Sequence, residues 1–388
     1  MRCDRCKNED PRLFANDHGT YYCLKCISFS RMEVNTLVKP VELSHRIWKG
    51  KPTLKYELTK AQKEVSHQIV EYLELGKDVF LYAATGAGKT ECVFESICFY
   101  LAKGKKVCFA ISRRQVVLEI SQRLRLSFPE LSVVEVCQGY TQITDADLIV
   151  CTTHQLYRYP YAFDLLILDE LDAFPFVGND LLQNIANQSC VGQKLLLSAT
   201  PDNQSLKEIE NGKMKMVTLF QRPHEHLLIV PEVRQVNVWI QICLVIYYCR
   251  QFTKERKQVL VFVPTKKDAK YVSMLLNIFM NSSFIHSSSD KRDSILEAFR
   301  KKKLDILVCT TLLERGITIG SVQVIVYRAN HSVFTTASLI QIYGRVGRTF
   351  EDPGGRGICL CESINDSIKD CVKQIKVMNY SACAAMKK

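Results

Sequence analysis

The chain of 388 residues lacks a hydrophobic run long enough to cross a membrane. Its most apolar stretch, VNVWIQICLVIYYC at 236–249, is 14 residues long and contains Asn237 and Gln241. Because a membrane-spanning helix needs about 20 apolar residues, we interpret this stretch as a buried helix. The first residues, MRCDRCKNED, contain no apolar core, so no secretory signal is expected.

Short-period repeats and low-complexity tracts are also absent, and 47% apolar with 24% charged residues are typical of a globular protein. At this length we expect two domains of about 150 residues and an additional module. Acidic residues are in the minority, with 40 Asp and Glu against 52 Lys and Arg, a formal net charge of +12. This surplus favours a polyanionic partner, with nucleic acid ahead of a membrane surface.

Cysteine is abundant, at 17 residues, but most of these cysteines are scattered among apolar runs. That distribution is typical of reduced thiols in a cytoplasmic protein. Four others form two C-x-x-C pairs in residues 1–30, which can complete a tetrahedral site. A redox dithiol and an iron–sulfur cluster are the alternatives to structural zinc. The predicted zinc ligands are Cys3, Cys6, Cys23 and Cys26.

Beyond this module, residues 31–55 show no clear periodicity, and we expect a connector or a loosely packed arm. From about residue 56 onward, short apolar runs alternate with helical patterns. Continuous apolar strands that alternate with helices predict an α/β fold with a parallel sheet covered on both faces. We expect one such domain over 56–220 and a second over 221–388.

The stretch YAATGAGKTE at 82–91 lies between a predicted strand and a predicted helix, the context in which a phosphate-binding loop forms. Gly86 and Gly88 let backbone N–H groups close around phosphates. Lys89 can reach the β and γ phosphates, and Thr90 can ligate Mg²⁺. The predicted nucleotide contacts in this stretch are Thr85, Gly86, Ala87, Gly88, Lys89, Thr90 and Glu91.

A second motif, LLILDELDAF, places two adjacent acids at the end of an apolar strand. Asp169 can hold Mg²⁺, and Glu170 can polarise the water that attacks the γ phosphorus. One strand later, Ser198 and Thr200 of LSATP can couple this region to the other half of the chain, together with Asp172.

The second half has no further Gly-Lys-Thr, but it contains Arg345 and Arg348 in QIYGRVGR. At a spacing of three, both arginines are expected on one side of a helical turn, facing the same anion. Guanidinium groups stabilise charge on a transferred phosphoryl group, and supplying them from another domain would tie hydrolysis to domain closure. In isolation, two surface arginines would be the alternative.

Pairs of threonines follow a predicted strand in each half. Thr152 and Thr153 end one strand, and Thr310 and Thr311 end another. Hydroxyl and N–H groups at these edges can grip consecutive phosphates of a single nucleic-acid strand. Gly316 lets the chain after the second pair approach another group closely.

Together, these motifs resemble superfamily 2 helicases and translocases over roughly residues 58–350. In that resemblance LTKAQ contains the glutamine that contacts adenine, which implies ATP and the residue Gln62. The segments ISRR and VFVPT correspond to further motifs, and the resemblance implies DNA contacts by Arg113 and Thr265. The segment TTLLERGIT corresponds to the motif that places Gly316 near the nucleotide.

DELDAFPF, TTHQL, TLLERGIT and ANHSVFTTASLIQIYGRVGR, with the four-cysteine module, resemble the ComFA family of competence ATPases. The resemblance implies two RecA-like domains in tandem, Mg²⁺ and ATP, and an ATPase and translocase that single-stranded DNA stimulates during natural transformation. It implies a cytoplasmic protein at the inner face of the membrane. The implied partners are the DNA channel, a phosphoribosyltransferase-like operon companion and a DNA-processing protein, and a homo-oligomer is compatible with it. The alternatives are a replication-restart or other DNA or RNA helicase, and a zinc-stapled DNA-binding scaffold with incidental ATPase.

Overall fold

Strands and helices alternate along most of the chain in the computed structural model. Contacts divide the chain into two units, the first comprising 1–83 and 89–219 and the second 84–88 and 220–388. The structure describes residues 1–170, 176, 178–286, 289, 292–313, 322–350 and 352–386.

The cysteine module contains a short antiparallel hairpin of β1 (Phe14–Asp17) and β2 (Thr20–Cys23). Residues 31–55 then cross the surface of the first unit without forming a loose arm. Trp48 is buried: its backbone N–H donates to the carbonyl of Leu101, and its indole N–H donates to Glu130 at 2.7 Å. The connector is therefore a packed strap.

The first unit is built on a parallel sheet of seven strands among the described residues, in the order β5-β6-β4-β7-β8-β3-β9. The strands are β3 (Asp78–Ala83), β4 (Val107–Ile111), β5 (Val133–Val136), β6 (Leu148–Thr152), β7 (Phe163–Asp169), β8 (Cys190–Ser198) and β9 (Met214–Leu219). The helices are α1 (Lys60–Glu74), α2 (Lys89–Cys92), α3 (Phe94–Ala102), α4 (Arg114–Ser127), α5 (Asp180–Ser189) and α6 (Asn203–Glu210).

Register in this sheet sets the position of the motifs. Asp169 pairs with Ile111 on one side and with Leu197 on the other, and Ile111 pairs with Thr152. Because all these strands are parallel, their carboxyl ends lie at one edge of the sheet. Ser198, the residue after Leu197, ends at that same edge.

The second unit is also built on a parallel sheet, with six strands in the described part of the chain in the order β10-β15-β14-β11-β13-β12. The strands are β10 (Glu232–Gln235), β11 (Gln258–Phe262), β12 (Ser282–Ile285), β13 (Ile306–Cys309), β14 (Val322–Val326) and β15 (Gly357–Cys361). The helices are α7 (Val238–Lys254), α8 (Lys266–Asn277), α9 (Arg292–Arg300), α10 (Thr336–Tyr343) and α11 (Asp366–Met386).

The apolar stretch at 236–249 forms most of α7, but the prediction of a buried helix was wrong in part. Val245 and Cys249 are buried in the core, whereas Trp239 is 76% and Tyr247 59% exposed. The helix lies in the outer layer of the unit, so one of its faces packs on the sheet and the other faces outward. Within the described residues, no helix combines the length and hydrophobicity that crossing a bilayer requires.

Candidate nucleotide site and metal centre

The nucleotide motif brings a lysine and an aspartate together at the edge of the first sheet. Lys89 begins α2, and its Nζ lies 3.9 Å from Oδ1 of Asp169 at the end of β7. Both side chains are largely buried, at 16% and 11% exposed, and Thr90 is buried beside them. The predicted phosphate-binding cation and the predicted metal-binding carboxylate thus lie in one small region.

The loop that joins β3 to α2 has the backbone conformation that the motif requires. Gly86 and Gly88 both have φ of +81°, in the left-handed region that favours glycine. The side chains of Thr85 and Ala87 between and beside these glycines are buried. Glu91, predicted as a nucleotide contact, forms an ion pair with Arg123 of α4.

Glu170 leaves β7 with an unusual backbone. Its φ is +57°, and its N–H donates to Oδ1 of Asp169 at 2.8 Å. A left-handed conformation costs a residue other than glycine about 1–2 kcal/mol, and such strain is concentrated at functional sites.

Two other predicted residues make hydrogen bonds that shape the backbone. Ser198 Oγ accepts from the N–H of Thr200 at 3.1 Å and donates to its carbonyl at 2.9 Å, which closes the turn after β8. Gln62 forms a capping box with Thr59 at the start of α1, where its Oε1 accepts from the N–H of Thr59 at 2.9 Å. Asp172 and Gly316 lie outside the described residues.

The predicted DNA contacts lie at the carboxyl ends of strands or within three residues after them. Thr152 is 8% and Thr153 1% exposed, so in this conformation the side chain of Thr153 is not available to a phosphate. The Thr265 hydroxyl caps α8, accepting from the N–H of Asp268 and donating to its carboxylate at 2.6 Å. The remaining predicted contacts are half-buried: Arg113, Thr310 and Thr311. DNA binding by these residues stays a prediction.

The two arginines of the second unit lie in a turn and not on a helix. α10 ends at Tyr343, and Gly347 has φ of +64°, which is incompatible with a continuing helix. The prediction that both arginines share one side of a helical turn was therefore wrong. Arg345 is buried, and the Nε of Arg348 donates to the carbonyl of Gly344 at 2.9 Å.

Arg222 supports this turn and was not predicted from the sequence. Its guanidinium is 1% exposed and donates to the carbonyls of Gly344, Val346 and Gly347 at 2.9–3.2 Å. Burial, with a contribution from Arg348, lowers the pKa of Arg222 to about 9. The surrounding sequence, QRPHEH, has no periodicity and no motif, so only the fold reveals this residue.

The four cysteines of the first module converge as the sequence predicted. The Sγ atoms of Cys3 and Cys26 lie 3.7 Å apart, those of Cys6 and Cys23 3.6 Å apart, and all four lie within 4.8 Å of one another. Four thiolates at about 2.3 Å from one zinc ion would be about 3.8 Å apart, so the cluster fits tetrahedral zinc. Contacts with Cys26 and Cys6 lower the pKa of Cys3, while the contact with Cys3 raises that of Cys26. A divalent cation would offset the repulsion that several thiolates create here.

Comparison with known proteins agrees with this geometry. Residues 59–209 match the DEAD/DEAH box helicase family, and residues 239–350 match the helicase conserved C-terminal domain. The competence protein ComFA of Streptococcus pneumoniae is 32% identical over 395 residues, covering 98% of this chain and 90% of that protein. The corresponding protein of Bacillus subtilis is 31% identical, over 98% of this chain and 86% of its own length.

The chain belongs to the ComFA family of competence proteins. Its two units are RecA-like domains in tandem, as the sequence predicted. A structure of Saccharomyces cerevisiae Dbp5 bound to RNA and ADP BeF3 has a TM-score of 0.59 at 16% identity, covering 83% of this chain and 91% of that one. Its likeness supports the fold alone. As a ComFA-family chain with both helicase domains, the protein is a competence-related, helicase-like ATPase, which implies ATP and Mg²⁺.

Proposed function

We propose that this ComFA-family chain is a cytoplasmic motor, peripheral to the inner face of the membrane, which hydrolyses ATP to move incoming single-stranded DNA during natural transformation. The observation that carries the proposal is the approach of Lys89 to Asp169, next to the strained Glu170. A binding scaffold with incidental hydrolysis has no need of a carboxyl group held in a costly backbone conformation at that point.

Each residue of this site has a role in phosphoryl transfer. Lys89 stabilises the β and γ phosphates, and Thr90 and Asp169 hold the metal, which when bound supplies charge neutralisation. The carboxylate of Glu170 accepts a hydrogen bond from the attacking water and thereby orients that water. Further proposed roles are adenine contact by Gln62, stabilisation of γ-phosphate charge by Arg345 and Arg348, and coupling of the Asp169 region to the other half of the chain by Ser198 and Thr200.

The nucleic-acid part of the proposal depends on the surplus of 12 positive charges and on the residues at the carboxyl edges of the two sheets. The four cysteines hold structural zinc. The proposed DNA contacts are Arg113, Thr152, Thr265, Thr310 and Thr311, together with the backbone N–H of Thr153, whose side chain is buried. The DNA channel, the phosphoribosyltransferase-like companion and the DNA-processing protein are the proposed protein partners.

The test compares ATP hydrolysis by the wild-type protein and by Glu170→Gln, with and without single-stranded DNA. General bases typically contribute about 10²–10⁴ in rate, so we expect kcat to fall at least 100-fold while ATP binding is retained. Glu74→Gln is the matched control, because Glu74 is exposed at the end of α1 and pairs only loosely with Lys103, at 3.4 Å. It should turn over ATP like the wild type.

Duplex DNA and RNA of the same length complete the experiment. Strongest stimulation by single-stranded DNA supports the proposal, and preference for duplex or RNA would instead favour a restart or RNA helicase. Equal turnover by Glu170→Gln and the wild type would refute the assigned chemistry.

A further inference from the structure

The cysteine module contacts α5, the helix that follows the acidic motif. Nδ2 of Asn184 donates to the carbonyl of Cys6 at 2.9 Å, and Nε2 of Gln188 donates to the carbonyl of Asp4 at 3.1 Å. Leu181 packs against the buried cysteines themselves. The first C-x-x-C segment, residues 3–6, is called the first knuckle. Its backbone is therefore fixed to the first RecA-like domain.

The second knuckle is the C-x-x-C segment 23–26 with the residues directly after it. It contacts a different segment, the 3-10 turn Thr153–Arg158 that follows β6. The N–H of Phe29 donates to the carbonyl of Cys26 at 3.0 Å, so the position of Phe29 depends on the knuckle. The Phe29 ring stacks on His154, with centroids 6.0 Å apart and planes at 22°, and contacts Tyr157 at 5.5 Å.

Arg5 strengthens this second contact from the first knuckle. Its guanidinium lies 5.9 Å from the centroid of the Tyr157 ring and donates to the carbonyl of Ser30 at 3.0 Å. Arg158 approaches Tyr157 at 5.2 Å. The rings and cations thus form one cluster to which both knuckles contribute, and such contacts are attractive.

A module of about 30 residues has too small a core to hold these groups in place without its metal. The turn that Phe29 contacts begins directly after Thr152, at the edge of the sheet where β7 also ends, at Asp169. Loss of the metal would release Phe29 and Arg5, and the turn would lose its outer support.

We propose that the metal-loaded cysteine module is a clamp that positions the Thr153–Arg158 turn, with Phe29 as the main positioning residue. Metal occupancy of the four cysteines then sets the affinity of this edge for single-stranded nucleic acid. The effect on nucleic-acid affinity rests on the proposed function, whereas the positioning of the turn is independent of it.

The test uses the full-length, zinc-loaded protein and the variant Phe29→Ala. Ile27→Ala is the matched control, because Ile27 lies in the same knuckle and is 51% exposed. We expect both variants to retain zinc at the wild-type ratio and basal ATP hydrolysis within twofold. Only Phe29→Ala should show faster hydrogen exchange in 153–158, and it should need about fivefold more oligothymidylate for half-maximal stimulation, the equivalent of one aromatic contact.

A double-mutant cycle with His154→Ala locates the effect. If Phe29 acts through His154, Phe29→Ala should change the hydrogen exchange of residues 153–158 less in the His154→Ala background than in the wild-type background. Exchange and oligothymidylate affinity in Phe29→Ala equal to those of Ile27→Ala would overturn the proposal. If the wild type shows no stimulation by any nucleic acid, the proposed function fails, and the exchange measurement still decides whether the clamp exists.

Discussion

The turn that contains Arg345 and Arg348 depends on Gly347, and this dependence yields a quantitative prediction. Gly347 has φ of +64°, and a Cβ added there would lie 2.1 Å from the backbone oxygen of Pro353 and 2.7 Å from its carbonyl carbon. No side-chain rotation relieves a clash with backbone, so the turn must move when residue 347 is alanine.

Two costs add in Gly347→Ala. The left-handed backbone costs an alanine about 1–2 kcal/mol, and forcing an extra carbon into a packed site costs about 1–3 kcal/mol more. We therefore expect a loss of about 2–5 kcal/mol in the free energy of unfolding of the second unit. For a unit of this size, 1 kcal/mol lowers Tm by about 2–4 °C, so Tm should fall by about 4–20 °C.

Differential scanning calorimetry suits this test, because it can separate the transitions of two domains that unfold independently. The transition of the first unit should stay in place, and ATP hydrolysis should fall as the arginines are displaced. Gly354→Ala is the control: an added Cβ there has no heavy atom within 4 Å, and its φ is outside the left-handed region. If both variants have the same Tm and turnover, neither the left-handed φ of Gly347 nor its contact with Pro353 constrains the turn.

Two further predictions concern buried and paired charges. Lys106 is 2% exposed, and its Nζ donates to the carbonyls of Ser44 and Ala146 and to the carboxylate of Asp145. Lys106→Met should therefore lower the free energy of unfolding by about 2–4 kcal/mol, measured by urea unfolding with the exposed Lys105→Met as the control. If Lys106→Met does not destabilise the protein, this side chain does not hold the strap at 31–55. Arg356 holds the pKa of Glu232 below its usual range, so this pair stabilises the second unit above pH of about 4.3 and the contribution is lost as pH falls through the lower folded value. Glu232→Gln should therefore lower the urea midpoint at pH 7 and converge with the wild type once the pH falls below the lowered pKa of Glu232; a constant difference at all pH values would contradict the assignment.

The sequence predicted strands correctly where a single apolar run forms a single buried strand. The runs that became β3, β7 and β11 are apolar almost throughout, because helices cover both faces of a parallel sheet. Strands at or near the sheet edges escaped prediction. β12, for example, begins with Ser282, whose hydroxyl bonds Ser273 and Asn277, and its sequence SSFI resembles a loop.

The supporting residues of the site escaped prediction for another reason: their partners are distant in sequence. Arg222 holds carbonyls more than 120 positions away, and Phe29 stacks on His154 with a similar separation. Neither residue has a local pattern, since each is defined only by the backbone or ring that the fold brings to it. Motifs identify residues that touch the substrate, whereas residues that position those motifs are found from contacts.

Left-handed backbone occurs in each unit beside a residue that is proposed to act in hydrolysis. Glu170 has φ of +57° directly after β7, and Gly347 has φ of +64° between Arg345 and Arg348. In each turn the chain direction changes within one residue of a predicted catalytic group, so the backbone, and not only a rotamer, sets where that group points. At Gly347 the residue type removes the conformational cost, whereas at Glu170 the protein retains a cost of about 1–2 kcal/mol. A strained acid beside a paired lysine and aspartate is expected of a site selected for hydrolysis rather than for stability alone.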